Sequence, residues 1–255
     1  MFPARARILG TIYALIAGVA TAGETPRIAI VIDDLGYDFA AGQRAIALPG
    51  PVACAILPGT PRGRALAEFA HANDKEVLLH LPLQAVSDEV AAPGSLVLDM
   101  TRHQFSRAFA EHFESVPHVS GVNGHRGSLL TRHPGHMAWL MEEIAERGQL
   151  FFLDSYTTEH SVALALARER NLPAVRRDVF LDADVDMIGA EFERLKRLAM
   201  RRGHAIGIGH PYPETLAFLE YALPRLEADG FTLVGVRQLL PKTMRTESRS
   251  MANSE

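Results

Sequence analysis

The chain has 255 residues, with 26 Lys and Arg against 30 Asp and Glu, and its net charge of −4 is spread along the chain, which argues against a nucleic-acid-binding surface. The only cysteine, Cys54, lies in the apolar stretch PVACAIL, so a buried small hydrophobe is expected there and no disulfide can hold the fold. Some 230 residues remain after the leader described next, about the size of one large domain that buries roughly three quarters of its unfolded surface.

In chain order, Arg5 and Arg7 precede a mostly apolar run over 8–19, followed by Ala20, Thr21 and Ala22. This is the pattern of a signal peptide over 1–22, so the protein is expected in the periplasm or secreted. The run is short and interrupted for a bilayer crossing, so no stable membrane span is expected after cleavage; an uncleaved anchor is the alternative. Apolar runs at 28–32, 52–57, 77–81, 119–122, 150–153, 174–180, 205–208 and 231–236 read as strands. Helices are predicted between them at 39–48, 62–72, 102–114, 134–147, 159–170, 187–202 and 213–228. The strands lack two-residue alternation, which suggests burial on both faces and a parallel sheet. Eight strands alternating with seven helices predict an α/β fold, a (β/α) barrel that is distorted or incompletely closed, with a doubly wound open sheet as the competing solution. No Gly-rich phosphate-binding motif follows a strand. The polar, aperiodic stretch 241–255 reads as a disordered tail, leaving one domain over 27–240.

In a parallel α/β fold, chemistry collects at the carboxyl ends of the strands. Asp33 and Asp34 follow the first strand, His80 the third, and Asn123 and His125 the fourth. Asp154 and Ser155 follow the fifth; Arg177, Asp178 and Asp182 belong to the sixth; His210 follows the seventh. Six of the eight predicted strands thus bring Asp or His to one rim, whereas independent solvated loops would scatter them over both. Adjacent carboxylates repel each other unless a cation is near or one is protonated, so the doublet itself points to a cation. One carboxylate and two imidazoles, Asp34, His80 and His125, suit a divalent metal with positions left open, zinc being the leading candidate. Asp33 would then be the base for a metal-bound water and His210 the acid for the leaving group, as ester or amide hydrolysis requires.

Over 27–240 the sequence resembles the divergent polysaccharide deacetylases, relatives of the NodB-like carbohydrate esterases. The resemblance rests on IAIVIDDLGYD, AILPGTP, KEVLLHLPLQ, GVNGHRGSLLT, FFLDSYTT, RRDVFLDAD and IGIGHPYPET, in family order. It implies a distorted barrel of seven or eight β/α units, with Asp33 as catalytic base, Asp34 and His80 as metal ligands and His210 as acid. The general deacetylase motif has a second histidine four residues after the first, where this chain has Gln84, so the resemblance makes His125 the third ligand. Gly124 and Arg126 also depart from the family form Asn-Asn-His-Met-Gly-Ser, and the Arg-x-Pro-Tyr and Asp-x-x-Asp-Trp motifs have no clear counterpart. Asn123, Ser128, Asp154, Ser155, Arg177 and Asp178 are expected to bind substrate or support the ligands. The function so implied is removal of acetyl groups from N- or O-acetylated envelope polysaccharide, or from a peptidoglycan-derived glycan. The departures at Gln84 and Arg126 motivate the alternative, a catalytically silent envelope factor that binds glycan or protein.

Overall fold

A computed structural model of the chain describes residues 25–88 and 90–241. The leader predicted over 1–22 and all but the first residue of the predicted tail lie outside the described residues. The strands are β1 (Arg27–Leu35), β2 (Ala53–Ile56), β3 (Val77–Leu83), β4 (Val119–Arg126), β5 (Phe151–Asp154), β6 (Ala174–Arg176), β7 (Val179–Phe180), β8 (His204–Gly209) and β9 (Thr232–Leu233). The helices between them are α1 (Phe39–Ile46), α2 (Gly63–Ala72), α3 (Arg102–Ser115), α4 (Pro134–Ala145), α5 (Ala163–Glu169), α6 (Ile188–Arg202) and α7 (Pro213–Ala222). Several helix ends follow directly from side-chain chemistry. Asp38 caps α1 by accepting from Ala41 N, Thr101 and Gln104 form a reciprocal capping box on α3, and Gly203 ends α6 in the left-handed region at φ 80°.

The strands run parallel in the order β6-β5-β4-β3-β2-β1-β8-β7, with β9 added beside the start of β1. β6 and β7 stand at the two ends and do not pair with each other, so the barrel is open along that seam. The run predicted as one strand over 174–180 is therefore two: β6 bonds β5, and β7 bonds β8. Between them Arg177 N donates to Asp154 O and Asp178 N donates to Ile206 O, so two consecutive residues tie one edge of the seam to the other. Likewise the strand predicted over 231–236 shortens to β9, and the chain then turns into a 3-10 helix at Val236–Leu239.

Alternation along the strands explains where the site forms. Ile28, Ile30 and Ile32 pack in the larger apolar cluster, together with residues of the helices. Ala29, Val31, Leu78, Phe151, Ile206 and Ile208 form a second cluster on the opposite face, inside the barrel. Each such fully buried large side chain contributes roughly 1.5–3 kcal/mol relative to exposure. Gly121 makes room for this plug, since a Cβ there would stand 2.7 Å from the Phe151 ring. Continuing the same two-residue period past these apolar residues reaches Asp33, His80, Ser155 and His210. The barrel's inner face is thus an apolar floor beneath a polar rim.

Candidate metal centre

The acidic doublet requires a departure from this alternation, which sends neighbouring side chains to opposite faces. Between Ile32 and Leu35 the register of β1 against β2 shifts, and Asp34 takes φ 58°, an uncommon conformation for a residue other than Gly. Both carboxylates consequently face His80. Its Nε2 lies 3.1 Å from Asp34 Oδ1 and 3.7 Å from Asp33 Oδ2.

The register of β3 on β4 sets His80 opposite Asn123 and Pro82 opposite His125, so both β4 residues point inward beside His80. His125 Nδ1 lies 2.9 Å from Asp34 Oδ1 and 3.2 Å from His80 Nε2. One atom each from Asp34, His80 and His125 therefore converge as a possible metal-binding group. These separations are close to the roughly 3.3 Å edges of a tetrahedron of N and O ligands at about 2.0–2.1 Å from zinc. Asp34 Oδ1 is buried without a well-directed hydrogen bond, as expected of an atom whose partner is an ion.

Asn123 settles which imidazole nitrogen is available. Its Nδ2 donates to Asp33 Oδ1 at 2.8 Å, and an ionised carboxylate only accepts, so its Oδ1 faces His80 Nδ1 at 2.9 Å and must accept from it. The Nδ1 proton is thus fixed, and Nε2, which faces Asp34, is the nitrogen whose proton a cation would displace. Burial would depress the His80 imidazole, but the Asp33 and Asp34 charges lift it to about 9. Burial also pushes Asp34 upward, yet the two imidazoles beside it outweigh this and hold it well below the usual carboxylate range. The same carboxylates that raise the proton affinity of His80 favour a cation at this point. Asp33 is 2% exposed and differs from its neighbour: burial raises it above the ordinary value, only partly offset by His80.

His210 stands on the other side of Asp34, with Nε2 3.9 Å from Asp34 Oδ2. Its Nδ1 pairs with Asp182 Oδ1 at 2.9 Å, and its backbone N donates to Asp182 Oδ2 at 2.6 Å. Thr215 Oγ1 also donates to Asp182 Oδ2, at 2.7 Å. Burial pulls the His210 imidazole down, but the hydrogen bond to Asp182 carries it above its ordinary value. Asp182→Asn removes that charge, so the His210 titration midpoint is expected to move to lower pH, read from its imidazole NMR shifts. An unmoved midpoint would show that Asp182 does not hold the proton there.

Of the residues expected to assist, Asn123 and Ser155 reach the centre, Ser155 Oγ accepting from Asn123 Nδ2 at 3.4 Å. Arg177 and Asp154 lie one step behind. Arg177 donates to Ser155 O at 2.6 Å and Tyr156 O at 2.9 Å, while Asp154 accepts from Tyr156 N and Ser161 Oγ, so together they fix the Ser155–Tyr156 turn. Ser128 does not join the centre; its Oγ accepts from Val86 N and ties two loops together. Asp178 does not reach the centre. It accepts from Ile206 N and pairs with Arg202 at the end of α6, toward the opposite rim. Asp182, at the end of the sixth predicted strand, is a partner of His210 that the sequence alone does not reveal.

The two departures from the family pattern have plain structural roles. Gln84 Oε1 accepts from Leu98 N, and its backbone O accepts from Leu129 N and Leu130 N, so it binds three loop segments together. The Arg126 guanidinium pairs with Asp88 at 2.6 Å and donates to Ser87 Oγ at 3.1 Å. Its charge is thereby engaged by a loop carboxylate.

Comparison with known proteins identifies the family and the fold. The model of the family described as divergent polysaccharide deacetylase matches residues 30–240. The uncharacterized protein YibQ of Escherichia coli (strain K12) is 34% identical over 242 residues, spanning 94% of this chain and 75% of that protein. An uncharacterized protein of Haemophilus influenzae is 35% identical over 215 residues, spanning 84% of this chain and 76% of its own length. The crystal structure of uncharacterized protein ATU2773 from Agrobacterium tumefaciens C58 matches the fold with a TM-score of 0.81 at 24% identity, covering 86% of this chain and 91% of that one.

Proposed function

Since the chain belongs to the divergent polysaccharide deacetylase family, we propose that it is a metal-dependent hydrolase that removes acetyl groups from N- or O-acetylated envelope polysaccharide or peptidoglycan-derived glycan. The observation that carries this reading is the convergence of Asp34, His80 and His125 on one point, with Asp34 Oδ1 buried and lacking a directed hydrogen bond. Asp34, His80 and His125 would hold a divalent cation, zinc by the donor set, which would supply an acidified water and a positive charge for the developing oxyanion.

The residues around that point divide the proton work. Asn123 occupies Asp33 Oδ1 and leaves Oδ2 to accept the proton of the attacking water. A carboxylate raised by burial is a better base than an ordinary one, which suits this role. His210, kept protonated more readily by Asp182, donates to the departing amine or alcohol. His80 is held by Asn123 with its Nε2 toward Asp34, which ties the base and the ligand into one hydrogen-bonded unit.

Both residues that motivated a silent glycan-binding factor, Gln84 and Arg126, are occupied in loop packing, while the base and the acid pair are retained; this favours the hydrolase. The charged and then apolar segment at 1–22 supports placing the activity in the periplasm or outside the cell. The expected result is acetate release from acetylated amino-sugar oligomers that a chelator abolishes and added Zn²⁺ restores. Silence of freshly metallated protein on chitin-like, peptidoglycan-like and O-acetylated substrates would overturn the proposal.

A further inference from the structure

At the end of the barrel opposite the metal centre, where β1 and β8 begin, β6 and β8 are separated by a cavity of about 640 Å³. The peptide groups of a strand turn alternately to its two sides. Phe152 N donates to Pro173 O and Arg177 N donates to Asp154 O, so residues 173 and 177 turn toward β5, and Ala174 and Arg176 turn their peptide groups toward the cavity. On the facing edge, Ile206 O accepts from Asp178 N and Ile206 N donates to Asp178 Oδ2. Two residues earlier on β8, His204 has the same orientation. Among the described residues no strand lies between these two edges, so the sheet is interrupted there with its hydrogen-bonding groups facing each other.

The side chains around the gap differ between its two faces. Val175, Leu239 and Leu240 belong to the apolar cluster inside the barrel. Arg176 lies on the other face from Val175 by strand alternation, exposed and 4.2 Å from the Tyr156 ring, and Arg168 is exposed at the end of α5. Arg27 adds a third guanidinium to the lining, whereas the one carboxylate among the described lining residues, Asp178, is paired with Arg202 at 2.9 Å. Positive charge is thus in excess beside an apolar floor. A small anion would answer the charge alone, but an extended acidic peptide answers the charge, the floor and the open edges together. Residues 242–255 follow Pro241 at the cavity wall, yet they hold three Lys and Arg against two Glu, so charge disfavours them as the occupant.

We propose that this gap takes an extended acidic segment of a partner protein by strand addition, its carboxylates outward on Arg168 and Arg176 and its alternate apolar side chains inward on Leu239 and Leu240. The proposal is independent of the hydrolase reading, because the gap and the metal centre lie at opposite ends of the strands. The probe is a fluorescein-labelled octapeptide of alternating Glu and Val, titrated into the purified protein at low salt and followed by fluorescence polarisation. It should bind, and a Lys–Val octapeptide should not. N-methylation of alternate residues strips the probe of its N–H donors on one edge and should weaken binding at least about tenfold with the protein unaltered. Arg168→Glu combined with Arg176→Glu, two exposed positions where the fold should be retained, should weaken the Glu–Val probe by a similar about tenfold and admit the Lys–Val peptide. No binding of the Glu–Val probe, equal binding of its N-methylated form, or an affinity unchanged in the double variant would overturn the proposal. Displacement of the probe by a synthetic peptide of residues 242–255 would assign the gap to the chain's own segment, and self-association abolished by the double variant would assign it to a second copy; either result overturns a separate partner.

Discussion

Replacing Asp33 by Asn is expected to lower kcat on an acetylated amino-sugar oligomer by about 10²–10⁴-fold, the range for loss of a positioned general base, with cation content unchanged. Asp33 is outside the group of converging donors and is tied to Asn123 instead, so the amide removes a proton acceptor without removing a ligand. Stability at neutral pH should not fall. Burial raises the folded-state value of Asp33, so its ionisation opposes folding above the unfolded carboxylate range, and the neutral isostere escapes that cost. The measurements are steady-state kinetics, elemental analysis and denaturant unfolding on the same preparation. Wild-type kcat in an Asp33→Asn protein that still holds its ion would show that another group takes the proton.

The second large effect concerns the ion. His80→Ala removes a donor fixed by Asn123 and is expected to weaken cation binding by more than about a hundredfold, beyond the 10–100-fold typical for losing only an orienting neighbour. Asn123→Ala should stay within that smaller range, because His80 remains and only its tautomer and ring orientation are freed. Competition for zinc against a buffered chelator measures both. Equal losses in the two variants would mean that His80 acts only through the hydrogen-bonded unit.

Much of this architecture could be read from the sequence because β-rich apolar runs alternate with helical segments and end in polar residues on one rim. His80, His125 and His210 were legible as rim residues since each follows or ends an apolar run. The doublet was legible as chemistry but not as geometry. Nothing in IAIVIDDLGYD announces that Asp34 adopts φ 58° and so defeats the alternation that would part it from Asp33. The split of 174–180 was hidden for a related reason: an apolar run gives no sign of where it leaves one neighbour for another. That break decides which way Asp178 points. Asp182 escaped because its role depends on strand register. Val179 pairs with Gly207 and Phe180 with Ile208, so the same offset carried two residues further sets Asp182 beside His210. Likewise Gln84 looked like a missing ligand, when that position joins three loop segments and β4 brings His125 beside Asp34 and His80.

Elemental analysis of the purified protein beside a His125→Ala variant tests the central claim most directly. Zinc-reconstituted wild type should carry close to one ion per chain, matching the single converging group among the described residues, and His125→Ala should lose most of it under the same dialysis. Equal metal content in the two proteins, or none in the reconstituted wild type, would contradict a cation held jointly by Asp34, His80 and His125.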